Sequence, residues 1–365
     1  MIIFVSTKFN IMKWQNSFTA LTGIKHPIVQ APMLGVTSPE MVAAISNSGG
    51  LGSLPVGGLS PEKTLELIQK TKLLTSKPFA VNLFAHNIGA INHNEANTML
   101  DFLEKLGNDN NASFNRPDPS AFRFYSYKEQ IDILINENIP IVSFTFGILS
   151  DDIIARFKNN GMILIGTATC VEEALLLKEK NIDAITAQGI EAGGHRGSFI
   201  KGNLPNVGVV ALVPQIIERT GLPVLASGAI NDGKTINAAF ALGASAVQIG
   251  TAFIATGESV AIPLYKKAVL NYSDTDTMLT RAFSGRWARG IRNTFMDEIE
   301  KSGLPVPDYP VQNSLTGPVR ASAQKNDNNQ MTNMWAGQSA PKIKLSSTTE
   351  IFNEMVAQVE ALNNL

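Results

Sequence analysis

Eight short apolar runs recur along the first two-thirds of the chain: Ile28–Ala31, Gly50–Leu54, Phe79–Leu83, Ile141–Phe144, Met162–Ile165, Ala184–Ala187, Val224–Ala226 and Ala246–Ile249. They are near-continuously apolar rather than alternating, the pattern of parallel strands covered on both faces. Amphipathic stretches lie between them. Ser38-Pro39-Glu40 and Ser60-Pro61-Glu62 place a capping residue before a proline suited to a first helical turn, and Ser150-Asp151-Asp152 and Asn231-Asp232-Gly233 start two more helices. Gly161, Gly221 and Gly243 fall where helices should stop. Eight βα units predict an α/β chain folded as a (β/α)8 TIM barrel over residues 17–254. A doubly wound open sheet is the structural competitor, and it would leave edge strands.

Two stretches break the repeat. Residues 87–126 are polar and Asn-rich, with a centre reading NDNNASFNRPDPS, and are expected to form a long loop insertion after the third strand. Residues 255–339 carry helical patterns at Val260–Leu270 and Arg292–Ser302, followed by Pro- and Asn-rich segments. A small, mainly helical lid subdomain is expected there. In residues 340–365, Ile351, Met355, Val359 and Leu362 recur at helical spacing, predicting a C-terminal helix packed back on the barrel.

Composition narrows the partners. With 365 residues, 44% hydrophobic and 17% charged, the chain can bury a large core. Lys plus Arg number 30 against 31 Asp plus Glu, so the basic excess of a phosphate-polymer binder is missing and nucleic acid is not expected. The single cysteine, Cys170, excludes an intramolecular disulfide and any multi-cysteine metal centre, and suits a reducing compartment. The N-terminal run Ile2–Val5 is too short for a leader, and no stretch has the roughly 18 apolar residues of a membrane span. A cytoplasmic protein, monomer or homodimer, without membrane partners is expected.

In such a barrel the chemistry belongs to residues just after each strand. Gly228 and Gly250 close the seventh and eighth strands, where glycine lets backbone N–H groups approach an anion beside a helix N-terminus. A phosphate pocket is one reading and two tight βα turns the other. Asn82 and Gln188 put amides at strand tips, able to donate and accept at the edge of a flavin or simply to satisfy a loop. Met33 could meet an aromatic ring or fill the barrel mouth. Among four histidines, His195 stands alone in a loop flanked by Gly193, Gly194 and Gly197, and its ordinary pKa suits proton transfer. The neighbouring Glu191 and Arg196 read as a loop-bracing or surface ion pair, and Cys170 as a structural residue before a helix. No histidine pair has zinc-binding spacing, so no metal is expected.

The ordered segments PIVQAPMLG, PFAVNLF, VSFTFG, AQGIEAGGHRGSF, PVLASGAI, AVQIGTAF and MWAGQ resemble the nitronate monooxygenase family, formerly called 2-nitropropane dioxygenases, from Pro27 to Trp335. The resemblance implies an FMN-dependent barrel that oxidises alkyl nitronates with O₂ to a carbonyl compound and nitrite, propionate 3-nitronate and nitroalkanes among the candidate substrates. It implies that Asn82, Gln188, Gly193, Gly228 and the run Gln248-Ile249-Gly250-Thr251 bind FMN, with Met33 and Gly194 beside them, and that His195 is the base. The alternative is the flavin-dependent enoyl-acyl-carrier-protein reductase, which uses NAD(P)H. Its histidine loop typically reads ESGGH, whereas AGGHRGSF here is closer to the monooxygenase form. A barrel that binds flavin or phosphate without turnover is a third reading.

Overall fold

All eight runs form strands in the computed structural model, which describes residues 13–339 and 343–363. In chain order the strands are β1 (Ile28–Gln30), β2 (Gly52–Pro55), β3 (Phe79–Phe84), β4 (Ile141–Thr145), β5 (Ile163–Ala168), β6 (Ala184–Gln188), β7 (Gly194–His195), β8 (Val224–Ser227), β9 (Ala246–Ile249), β10 (Thr277–Thr280) and β11 (Ala288–Ile291). Eight of them pair side by side in the order β1-β9-β8-β6-β5-β4-β3-β2, every pair parallel. The ring closes through a parallel bridge between Val29 and Leu51, with Gln30 N donating to Leu51 O at 3.0 Å. Closure removes the edges an open sheet would expose, and the competitor fold with them. The N-terminal run Ile2–Val5 lies outside the described residues.

Helix starts follow the expected chemistry. Ser38 and Ser60 accept from Met41 N and Lys63 N, each with proline in the first turn, and Gly221 ends the helix Val209–Thr220 in the left-handed region. One layer of barrel interior is filled by Val29, Leu51, Ala80, Ile141, Ile165, Ala184, Leu225 and Ala246, one residue from or beside each strand. Phe18, on the first helix (Ser17–Thr22), plugs this layer from below. The bottom of the barrel is therefore a packed core, which leaves the carboxyl ends of the strands as the open face. The C-terminal helix Thr348–Asn363 buries Ile351, Phe352, Met355 and Val359 against the barrel, while Leu362 is only half-buried.

The two irregular stretches differ from expectation. Residues 87–126 are not one long loop: His93–Asp109 is a 17-residue helix, started by Asn92, whose side chain accepts from Glu95 N. Its apolar face, Ala96, Met99, Leu100, Leu103 and Leu106, is buried against Phe283, Phe295, Met296, Ile299, Leu315 and Val319 from the segment after β9. Two insertions distant in sequence thus share one core and form a second lobe above the barrel mouth. That lobe has helices at Pro263–Val269 and Thr294–Ser302, among others, and it also carries a sheet. β10 pairs antiparallel with β11, and β11 with β7.

Candidate active site

The barrel brings several of the singled-out residues to one face. Gln188, Ser227 and Gln248 share one register level on β6, β8 and β9, while Asn82 and Ser143 share another on β3 and β4. Asn82 is buried, and its Nδ2 donates to Ser143 Oγ at 2.9 Å while Oδ1 accepts nothing among the described residues. Gln248 Oε1 accepts from Thr186 Oγ1 at 3.4 Å, and its Nε2 has no acceptor among the described residues. Gln188 is already engaged at both ends. Its Nε2 donates to His195 O at 2.9 Å and its Oε1 accepts from Gly197 N at 2.8 Å, so it clamps the histidine loop while keeping one donor and one acceptor position.

The glycines divide into two kinds. Gly228 has φ +129° and is followed by Ala229 at φ +54°, and a Cβ at Gly250 would only touch Met33 Sδ at 3.4 Å. A Cβ at Gly228 would come within 3.3 Å of Ala192 N, so that turn is tight, whereas Gly250 meets only ordinary contacts, with Ala31 Cβ at 3.5 Å beside the methionine. Gly193 is instead a backbone crossing, since a Cβ there would come within 2.5 Å of Gly337 N. Thr251 Oγ1 accepts from that same Gly337 N at 3.1 Å. The Ile249 side chain is in the core, so only its backbone could serve a ligand. Gly194, at φ +75° with open space around it, starts β7.

His195 sits on β7 opposite Ala288 of β11. Its ring is half-buried among Phe146 (5.8 Å between centroids), Trp335 (5.2 Å) and Tyr309 (6.4 Å). Nε2 lies 2.8 Å from Ser284 Oγ. Burial, with the positive charges of Arg286 and Arg320 added, pushes its pKa down to about 3. The ring is neutral at physiological pH. His86, likewise half-buried, packs edge-on to Tyr309 at 4.9 Å, and burial together with Arg286 pushes its pKa down to about 4.

Sequence reasoning did not find what holds this site. Arg196 is fully buried rather than at the surface, and it makes no ion pair with Glu191. Its guanidinium donates to Gly189 O at 2.5 Å and Gln188 O at 3.0 Å. Glu191 instead accepts Val209 N on both oxygens, at 3.0 and 3.1 Å, capping the helix Val209–Thr220. Glu173, wholly buried, accepts from Thr169 N, Thr169 Oγ1, Phe199 N and Ile200 N, and so ties the end of the histidine loop to the helix after β5. Ser284, Tyr309 and Glu173 belong to no recognisable motif. Cys170 is half-buried with its thiol pKa raised by burial, which does not suit a nucleophile. Among the described residues no group of three His, Cys, Asp or Glu side chains could hold a metal ion, and no helix is long and apolar enough to cross a membrane.

Comparison with known proteins places this geometry. A model described as nitronate monooxygenase matches residues 15–358. A probable nitronate monooxygenase of Staphylococcus aureus (strain MSSA476) is 40% identical over 347 residues, covering 94% of this chain and 96% of that protein. Among solved structures, nitroalkane oxidase from Streptomyces ansochromogenes superposes with a TM-score of 0.88 at 33% identity, over 96% of this chain and 99% of its own. FabK from Thermotoga maritima superposes with a TM-score of 0.75 at 27% identity, over 96% and 97%.

Proposed function

The chain belongs to the nitronate monooxygenase family, and on that premise we propose that it oxidises small alkyl nitronates with O₂ to a carbonyl compound and nitrite, using FMN. The observation that carries this reading is His195, a neutral imidazole at the barrel mouth with cations rather than carboxylates around it. The reductase reading has less support, because FabK is the more distant of the two structural relatives in both identity and superposition.

The residues present fit a flavin mononucleotide. The backbone at Gly228, Ala229, Gly250 and Thr251, at the ends of β8 and β9, would hold the phosphate. The free Asn82 Oδ1 and Gln248 Nε2 offer the acceptor and donor that a pyrimidine edge requires, with Gln188 beside them. Met33, next to Gly250, would pack on the ring. Bound there, FMN supplies the electron-accepting chemistry that links the substrate to O₂.

This chain's own share is charge, orientation and one proton. The Arg286 and Arg320 charges disfavour an imidazolium but favour an anion beside it, so a preformed nitronate is the better-matched substrate. For a neutral nitroalkane, His195 would take the α-proton. In the tautomer this reading uses, Nε2–H donates to Ser284 Oγ and the Ser284 proton goes to Arg286 O at 3.3 Å. That leaves Nδ1, which has no partner among the described residues, as the basic atom. The imidazolium and the new nitronate would then form an ion pair that each stabilises.

The test is nitrite release in air, without nicotinamide cofactors, from a panel of alkyl nitronates and propionate 3-nitronate. Flavin freed by heat should be FMN. Nitrite from none of the panel, with rapid NAD(P)H-dependent reduction of an enoyl thioester, would replace this reading with the reductase.

A further inference from the structure

A cavity of about 500 Å³ is walled by His86, Arg196, Ser198, Arg281, Arg286 and Tyr309, and Tyr309 also faces the His195 ring at 6.4 Å between centroids. Three arginines in one cavity do not make three anion sites. Arg281 is neutralised by Asp308 at 2.7 Å, and Arg196 spends its guanidinium on two backbone carbonyls. Arg286 differs. Two of its N–H groups go to Ser198 O at 3.0 Å and Phe146 O at 3.4 Å, and the others meet no protein acceptor among the described residues. It makes no direct ion pair among the described residues, although Asp308 and Glu173 lie near enough to favour its charge.

The guanidinium is also fixed in direction. Its Cζ lies 4.2 Å over the Phe146 ring, and that ring stands edge-on to His195. Phe146 holds φ +72°, a conformation that residues with side chains rarely adopt, and Arg286 bonds its carbonyl. A strained aromatic residue thus pins a half-buried cation near His195. A partly desolvated charge with no carboxylate in direct contact is costly, and an anion that enters the cavity relieves the cost.

We propose that Arg286 is the anion-recognising residue of this site, gripping the charged nitro oxygens of the nitronate and discriminating against the neutral nitroalkane. The proposal rests on the nitronate reading above. A nitronate places negative charge on two coplanar oxygens, which the planar guanidinium fork matches in both shape and sign. The parent nitroalkane has the same two oxygens without the net charge.

Nitrate, a planar monoanion, serves as the probe and nitroethane as its neutral counterpart, with binding measured calorimetrically on the full chain as purified. Wild type should bind nitrate, and Arg286→Met should weaken that binding by at least about tenfold while leaving nitroethane within a few-fold. Arg286→Lys, which keeps the charge without the fork, should weaken nitrate by a few-fold, and it decides the matter if the Met variant does not fold. No nitrate binding by the wild type, unchanged binding in either variant, or equal loss of both probes in the Met variant overturns the proposal. Failure of the functional reading looks different: the wild type would release no nitrite from nitronates even though nitrate binding still depended on Arg286.

Discussion

His195 Nε2 and Ser284 Oγ lie 2.8 Å apart although 89 positions separate them in the chain. One stands on β7, the other just before β11, and the pairing of those strands brings them together. The hydroxyl is the ring's one polar partner among the described residues, so it fixes the aim of the imidazole. Ser284→Ala should therefore leave the fold intact and lower nitrite release from nitroalkanes by about tenfold, the worth of one such hydrogen bond. Preformed nitronates, which need no base, should be affected less. Equal losses on both substrates, measured at saturating concentration, would count against Nδ1 as the basic atom.

The histidines make stability depend on pH. His195 and His86 have pKa values of about 3 and about 4 in the folded protein against an ordinary value near 6.5, and that of His26 is lowered as well, chiefly by burial. Below pH 6.5 the unfolded chain takes up protons that the folded chain refuses, so stability is full above that pH and is lost as pH falls towards 4. The melting temperature should drop steadily over that interval, and His86→Asn should flatten the slope. A melting temperature independent of pH between 6.5 and 4.5 would contradict the burial of these rings.

Gly193 and Gly194 are adjacent but should respond differently to alanine. At Gly193 a Cβ meets Gly337 N at 2.5 Å, backbone against backbone, and one strand must move. Gly194→Ala meets no atom within 4 Å and is burdened only by its φ of +75°. We expect a loss of about 2–3 kcal/mol at 193 and about 1 kcal/mol at 194, by denaturant unfolding. The reverse order would mean that the 193–337 crossing is looser than it stands here.

Glu173→Gln should be among the most damaging single changes outside the barrel core. The carboxylate satisfies three backbone N–H groups and one hydroxyl, all as acceptor, and its charge lies near the buried Arg196. An amide replaces one acceptor by a donor facing donors, and removes the negative charge. A loss of about 3 kcal/mol is expected, with disorder of residues 197–200 seen as faster proteolysis there. Wild-type protection of that loop in the variant would refute the bracing role.

The barrel was legible because its strands carry local signals: a continuous apolar run, a capping serine, a stopping glycine. His195 was legible for a similar reason, since glycines on both sides mark a loop built around one side chain. The helix His93–Asp109 carried a signal too, with Ala96, Met99, Leu100, Leu103 and Leu106 at helical spacing. The Asn-rich stretch that follows, and the many polar residues on its other face, mask that stripe. Nothing local announces β7, β10 and β11, which are two to four residues long and pair across the chain. Nor could the role of Arg196 be read, because its partners are backbone carbonyls, which every residue possesses. Gln188 shows the limit from the other side: the amide was expected at the strand tip, but its grip on the histidine loop appears only when residues 188, 195 and 197 are seen together.

The pairing of β7 with β11 has a consequence for how the enzyme could open. The histidine strand is covalently part of the barrel yet hydrogen-bonded into the sheet of the second lobe. The Trp335–Gly337 segment adds a second tie, bridging to Gly290 on one side and lying against Gly193 on the other. A hinge that swung the whole lobe clear would tear His195 from its place, so the lobe and the barrel mouth should move, exchange amide protons and unfold as one cooperative unit. Traffic of substrate and product is then left to small excursions around the cavity rim, at residues 86–92 and 307–310, rather than to domain motion. Such an enzyme would keep its catalytic geometry assembled between turnovers instead of rebuilding it each time a ligand arrives.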